Sequence, residues 1–403
     1  RNAYDMIVDA NGEMFLHDSD MESDMGTSWY RPTMAFHVPA GAELGWRSGW
    51  AKFPNYFIDQ TPSLADTGRG SPTGAVLYQH IQFPARYHDT IFFADWSEGR
   101  ILSVKPTPNG AGFAAKAQTF LAGRPLNVCD LAVGKDGGLY FCTGGRGTEG
   151  GVYRVSWNGE VPESLTTFEN DLVKALRHPQ PQSPWARQAI AQVRIKMANH
   201  WGPAIQGVAT ETRNATKMRL RALQLMGMYG PLPTQELLDK LAGDKKPAIR
   251  AQVARMCVRK SDPHKKQIVL DLIKDKSPYV RRVAAETCVR LEIAPEFDAL
   301  TRMLTAESRI EALAARRLLE RIPANQWQAK VFSTDDKQLF FNGSVAMMTS
   351  EPSLDRAYQI LAKSSEFMEG FLNDREFTDL LRTVQLALVR GQVDPARIPG
   401  LTL

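Results

Sequence analysis

The sequence predicts a multidomain β-then-α chain: a partial β-propeller of about three blades over residues 1–157, followed by an α-solenoid. Three observations predict it. Short apolar strands separated by turn residues recur at a spacing of about 45–55 residues, which suits propeller blades. Around Trp157–Thr166 the hydrophobic period changes from 2 to 3.6. Beyond that point a proline-arginine signature returns with a period of about 31 residues.

In the β part, Tyr4–Val8 and Glu13–Leu16 read as strands joined by Asp9-Ala10-Asn11-Gly12, whose Asn-Gly suits positive φ. Ala75–Gln79, Thr90–Ala94 and Arg100–Val104 form a second unit. Cys129–Val133, Leu139–Cys142 and Gly151–Val155 form a third, with Lys135-Asp136-Gly137-Gly138 as hairpin turn. Roughly three blades are too few to close a propeller, which needs about four. The chain is therefore expected to be the C-terminal part of a longer polypeptide, with the missing blades before Arg1. The glycine-rich stretches Gly68–Gly74 and Thr143–Gly151 are not phosphate loops, because strands and not a Gly-Lys-Ser/Thr helix start follow them.

Residues 158–183 read as a linker with a first helix, broken by the prolines of His178–Pro184. Over 184–330 the segments Pro184-Trp-Ala-Arg187, Pro247-Ala-Ile-Arg250 and Pro278-Tyr-Val-Arg281 lie 63 and 31 residues apart. Ile249 aligns with Val280, Val253-Ala254 with Ala284-Ala285, and Cys257 with Cys288. Proline at the start of the second helix, small residues where helices approach and an arginine just after the turn are the HEAT pattern. Residues 331–403 are expected to be a helical C-terminal extension.

The net charge of +5 is unevenly spread. Residues 1–60 carry nine acids against Arg1, Arg31, Arg47 and Lys52, whereas residues 213–290 carry 18 Lys/Arg against seven Asp/Glu. Such asymmetry predicts two units with different tasks. The basic stretch (Arg250, Arg255, Arg259, Lys260, Lys265, Lys266, Arg281, Arg282) reads as a solvated helical face. Nucleic acid is disfavoured as its partner, because Tyr229 and Tyr279 are nearly the only aromatics available for base stacking. No run of about 18 apolar residues occurs, so no transmembrane segment is predicted. Cys129 and Cys142 flank a hairpin, where a disulfide and two unpaired thiols are both open; no C-x-x-C-H haem attachment occurs.

Asp18, Asp20, Glu22 and Asp24 alternate along one stretch as hard-cation ligands often do. It is no EF-hand, since Ser23 stands at the sixth position and Trp29 at the twelfth. A solvated acidic loop is the alternative. Trp29-Tyr30-Arg31-Pro32 and Trp46-Arg47 suit a carbohydrate-stacking rim. His37, His80 and His88 read as loop residues without a metal-like spacing.

The order Arg1-Asn2, strand pair, His17-Asp18-Ser19, then Gly45-Trp46-Arg47 resembles part of the soluble glucose/sorbosone dehydrogenase family, β-propellers that oxidise sugars with pyrroloquinoline quinone (PQQ). The further order, propeller then HEAT repeats, resembles the planctomycete-type "membrane-bound dehydrogenase" proteins. The resemblance implies oxidation of a sugar or polyol hydroxyl by a PQQ-dependent, calcium-assisted parent protein in an exported, periplasmic or cell-envelope compartment. Electrons would pass to an external or separate haem acceptor, and the HEAT repeats would take protein partners. It assigns Arg1 and Asn2 to the quinone, where a guanidinium and an amide polarise a carbonyl, and Asp18, Ser19 and Asp20 to Ca²⁺. Trp29, Arg31, Trp46 and Arg47 would form the substrate rim. The family's catalytic base lies in an earlier blade, so no catalytic residue is expected here. Where the family binds the quinone carboxylates with a lysine and two arginines, this chain reads Asp95-Trp96-Ser97 and Asn127-Val128-Cys129-Asp130. The competing class is a non-catalytic propeller–HEAT protein that binds glycan or protein.

Overall fold

The computed structural model describes residues 3–46 and 52–394. Arg1, Asn2 and Arg47, assigned above to the quinone and the rim, lie outside the described residues. Two compact units emerge: Arg1–Val38, Trp46–Lys52 and Ser63–Met256 form the first, and Pro39–Gly45, Phe53–Pro62 and Cys257–Leu403 the second.

The first unit opens with three antiparallel sheets, the three expected blades. The strands β1 (Met6–Val8), β2 (Met14–Asp18), β3 (Thr33–His37) and β4 (Ala65–Gly68) pair in chain order. In the second sheet β5 (Pro72–Tyr78), β6 (Thr90–Asp95) and β7 (Arg100–Val104) are joined at the edge by β10 (Ala117–Ala122). A small hairpin, β8 (Thr107–Asn109) with β9 (Gly112–Ala114), intervenes. The third sheet holds β11 (Val128–Val133), β12 (Leu139–Gly145) and β13 (Thr148–Val155). Gly12 and Gly137 take the positive φ that their turns require, +86° and +79°.

Blades pack face to face, so a central strand is apolar on both sides. In β6 Ile91 and Phe93 join Phe15, Ala35 and Leu102 in one core, while Phe92 and Ala94 join Tyr78, Ile101, Leu131 and Phe141 in the next. Such a strand reads as a continuous apolar run, as β6 does. Strands β3, β4 and β8 to β10 go beyond the sequence expectation. His37, expected in a loop, is the last residue of β3 and is buried, with Nε2 2.8 Å from Glu13 Oε2. Cys129 and Cys142 are free thiols.

Helices α1 (Glu163–Thr166), α2 (Asp171–Leu176), α3 (Pro184–Met197), α4 (Trp201–Thr210), α5 (Thr216–Tyr229), α6 (Gln235–Ala242) and α7 (Pro247–Met256) complete the first unit. The second contains α8 (Pro263–Leu272), α9 (Pro278–Leu291), α10 (Phe297–Leu304), α11 (Arg309–Leu319), α12 (Gln328–Phe332), α13 (Lys337–Ser350), α14 (Leu354–Met368) and α15 (Asp374–Arg390). Neighbours pack as antiparallel pairs, α6 on α7 in one unit, α8 on α9 and α10 on α11 in the other. Prolines open α3, α8 and α9, where the missing N–H costs nothing.

The solvated basic face expected on these helices is corrected in part: Arg259 and Lys260 are exposed as expected, but other members are not. Arg219, Arg250 and Arg281, spaced by one repeat, are buried. Arg219 pairs with Asp244, and Arg250 donates to the Asp244 carbonyl at 2.7 Å. Arg281 donates to the carbonyls of Asp275 and Lys276 and to Glu311 Oε1 at 2.6 Å. The repeat places this arginine where each interhelical turn exposes carbonyls, so it closes the turn from within. Arg282 is buried as well, on Glu286. Within the second unit Arg309 and Arg382 likewise hold residues 53–62. Arg309 donates to the carbonyls of Asn55 and Gln60, and Arg382 grips Asp59 in a fork over Phe53 and Phe57.

Arg281→Ala leaves Glu311 charged and buried, so a loss of about 3–5 kcal/mol is expected. Urea unfolding followed by far-UV circular dichroism measures it. Arg281→Ala combined with Glu311→Leu is expected to recover part of that loss.

Candidate functional site

The residues singled out in the acidic stretch fall at one end of the three sheets, where β2, β4, β6 and β12 finish and β3, β5, β7, β11 and β13 begin. Asp18 ends β2 and is fully buried. Its Oδ2 lies 2.5 Å from Lys52 Nζ and accepts the Trp46 indole N–H at 2.6 Å. Lys52 also donates to the Ser19 carbonyl at 2.8 Å and lies 4.5 Å from the centre of a Trp46 ring. Two of the atoms expected on calcium, an Asp18 oxygen and the Ser19 carbonyl, therefore bind an ammonium. Asp20 turns elsewhere, accepting the Tyr30 hydroxyl at 2.5 Å, and burial raises its pKa. Among the described residues no group of three or more His, Cys, Asp or Glu is arranged to hold a metal.

Lys52 is the residue that sequence reasoning missed. It stands opposite Trp46 in an isolated antiparallel bridge, which aims both side chains at Asp18. One signal existed: in an acidic segment of 60 residues it is the lone lysine. Burial lowers its pKa, and the Asp18 carboxylate beside it opposes that shift.

A second cluster continues from the first. His17 Nε2 is 2.8 Å from Thr67 Oγ1, which is 2.6 Å from Thr33 Oγ1. Arg100 donates to the Thr67 carbonyl at 2.7 Å and to Asp95 Oδ2 at 2.9 Å. Asp95 and Arg100 are direct cross-strand partners at a hairpin, which the Asp-x₄-Arg spacing around Glu98-Gly99 foreshadows. Trp96 Nε1 donates to the Gly144 carbonyl, and Asn127 Nδ2 to the Trp96 carbonyl, tying the second blade to the third. His17 is buried on Phe93, 5.3 Å between ring centres, and burial pushes its pKa down to about 4.

Of the expected rim, Trp29 is 56% exposed and free to stack, and Arg31 donates to the Tyr30 carbonyl. The Trp46 indole is committed to Asp18 and Lys52. Arg146 stacks on Trp96, 5.5 Å from the ring centre. The site is thus a self-neutralised polar network with one exposed indole at its edge.

A family model described as HEAT repeats matches residues 208–320. No curated protein matches. Among solved structures the chain is similar to a putative oxidoreductase (glucose dehydrogenase) of Thermus thermophilus, at 16% identity over 36% of this chain and 41% of that one, with a TM-score of 0.28. It is similar to a glucose dehydrogenase at 17% identity, over 39% and 45%, with a TM-score of 0.31. The soluble aldose sugar dehydrogenase of Escherichia coli in its apo form gives 16%, 36%, 42% and 0.28. The chain spans less than half the length of each of these structures.

Two outcomes are expected of the network. Lys52→Met strands a buried carboxylate and is expected to cost about 3–5 kcal/mol in chemical denaturation. His17 binds a proton below about pH 6.5 when unfolded but only near 4 when folded. Its contribution is therefore complete above pH 6.5 and is lost as pH falls toward 4, by about 3 kcal/mol in total. Stability measured against pH for the wild type and His17→Gln should show that acid-side slope reduced in the variant.

Proposed function

We propose that this chain supplies blades and a HEAT scaffold to a propeller protein that oxidises a sugar or polyol hydroxyl. The observation that carries the reading is a shared location. Asp18 and Asp20, expected on calcium, and Trp29 and Trp46, expected in the rim, all belong to one end of the three sheets, as do Asp95 and Asn127, which stand where the resemblance expects cations and this chain lacks them. The exposed Trp29 offers that end an apolar face for a sugar ring.

Calcium at Asp18 and Ser19 does not fit this arrangement. The Lys52 ammonium occupies Asp18 Oδ2 and the Ser19 carbonyl, and a second cation beside it would be repelled. PQQ, a tricarboxylate, does not fit these residues alone either. Lys52 and Arg100 are each matched by a buried aspartate, and Arg31 and Arg146 are cations of this end with no carboxylate partner among the described residues. In this reading the quinone's cationic contacts and the catalytic base come from the parent's other blades. Export to the periplasm or cell envelope and a separate haem acceptor belong to the same proposal. The same self-neutralisation favours a second reading, a non-catalytic propeller–HEAT protein that binds glycan through the Trp29 edge or protein through its helices.

Titration of the full-length parent with PQQ, with and without Ca²⁺, separates the two. The dehydrogenase reading expects saturable quinone binding, reduction by an aldose or polyol, and a Ca²⁺ response unchanged in folded Asp18→Asn protein. No binding at high micromolar PQQ would sink it and leave the binding reading. Loss of the Ca²⁺ response in Asp18→Asn would return the metal to Asp18.

A further inference from the structure

At the opposite end of the sheets the first unit has an open-mouthed cavity of about 300 Å³, between the β1–β2 and β5–β6 connections and helix α5. Its apolar wall includes Phe15, Ile91 and Phe113. Its polar wall holds Asp9, Asn11, Gln79, Asp89, Lys217, Arg221 and Gln224, and nearly all of these are satisfied within the protein. Asp9 accepts the backbone N–H groups of Asn11 and Glu13 at 2.8 and 2.9 Å. Asp89 accepts Lys217 Nζ at 2.8 Å and Gln79 Nε2 at 2.9 Å. Gln224 donates to Asn11 Oδ1 at 3.1 Å.

Arg221 is the exception. Its guanidinium makes no hydrogen bond or ion pair among the described residues, and burial pushes its pKa down to about 10 against the pull of Asp89. Arg221 is half-buried and lines the cavity, so its N–H donors are open to a ligand there, and a planar fork matches a carboxylate. We propose that this cavity binds a small hydroxylated monocarboxylate of the sugar-acid class, its carboxylate on Arg221. The Asp9 and Asp89 carboxylates disfavour a phosphate dianion there and can accept ligand hydroxyls, as the amides of Asn11 and Gln224 can. Phe113, half-buried at the cavity wall, presents apolar surface to the C–H face of a ring. The volume lies at the small end of ligand cavities and suits one monosaccharide unit. The site stands apart from the dehydrogenase reading, because it uses none of the residues at the other end of the sheets.

Calorimetric titration of the whole chain with D-glucuronate, D-glucose, benzoate and inorganic phosphate tests this. Saturable binding of glucuronate is expected, at least tenfold tighter than that of glucose, benzoate or phosphate. Arg221→Gln should weaken it at least tenfold, whereas Arg194→Gln, on the exposed face of α3, should leave it unchanged. Thermal melting of ligand-free Arg221→Gln supplies a second readout. If the guanidinium awaits a ligand, removing it holds or raises Tm; a fall of several degrees would assign Arg221 to the fold and overturn the proposal. Absence of glucuronate binding, binding insensitive to Arg221→Gln, or a preference for benzoate or phosphate would overturn it too.

Discussion

The ammonium of Lys52 against the buried carboxylate of Asp18 is the contact on which one end of the three sheets depends. A carboxylate removed from water is tolerable only with a cation and hydrogen-bond donors in place, and here Lys52 and the Trp46 indole supply both. The consequence reaches past the pair. Fixing Lys52 also fixes the Ser19 carbonyl, and thereby the chain leaving β2. Asp95 with Arg100 repeats the solution in the second blade, and Arg100 then reaches Thr67, which holds His17. Charge neutralisation and strand termination are one event at this end.

The two ends of the sheets solve the same electrostatic problem with different outcomes. At the first, each buried cation meets a carboxylate of the same unit, so the network closes on itself. At the second, Asp89 is already held by Lys217 and Gln79, and Arg221 faces a cavity without a matching oxygen. Matched charges stabilise a fold; a mismatched one at a cavity wall marks where something external completes the set. A carboxylate-dense sequence therefore drew attention to the end that is complete, and the incomplete end carried no motif.

The fold was legible where it is written locally. Asn11-Gly12 and Gly137-Gly138 announced their hairpins, and a proline-arginine period of 31 announced stacked helix pairs. Strand β3 escaped because Met34-Ala35-Phe36 lies between an acidic loop and a long proline-containing excursion, with no paired turn signal on either side. The role of Lys52 escaped because its partner Asp18 is distant in sequence, and the bridge to Trp46 that aims it has no pattern of its own. The repeat arginines were visible but misassigned. Charged residues default to solvent in a sequence reading, whereas Arg250 and Arg281 face inward to cap the carbonyls of their own turns.

The uneven charge of the chain takes a different meaning in the folded molecule. An acidic stretch in residues 1–60 and a basic one in 213–290 suggest two units with separate tasks. Yet both contribute to the first unit, where they meet. Arg255 pairs with Glu13, which also holds His37. Gln224 reaches Asn11, and Lys217, from the same basic stretch, meets the blade residue Asp89. Opposite charge joins the two stretches directly at Arg255 and Glu13, between the β1–β2 connection of the first blade and helix α7. A basic helix in such a chain is first a candidate for an internal carboxylate, and only the cations left over after that matching, as Arg221 is, carry information about ligands.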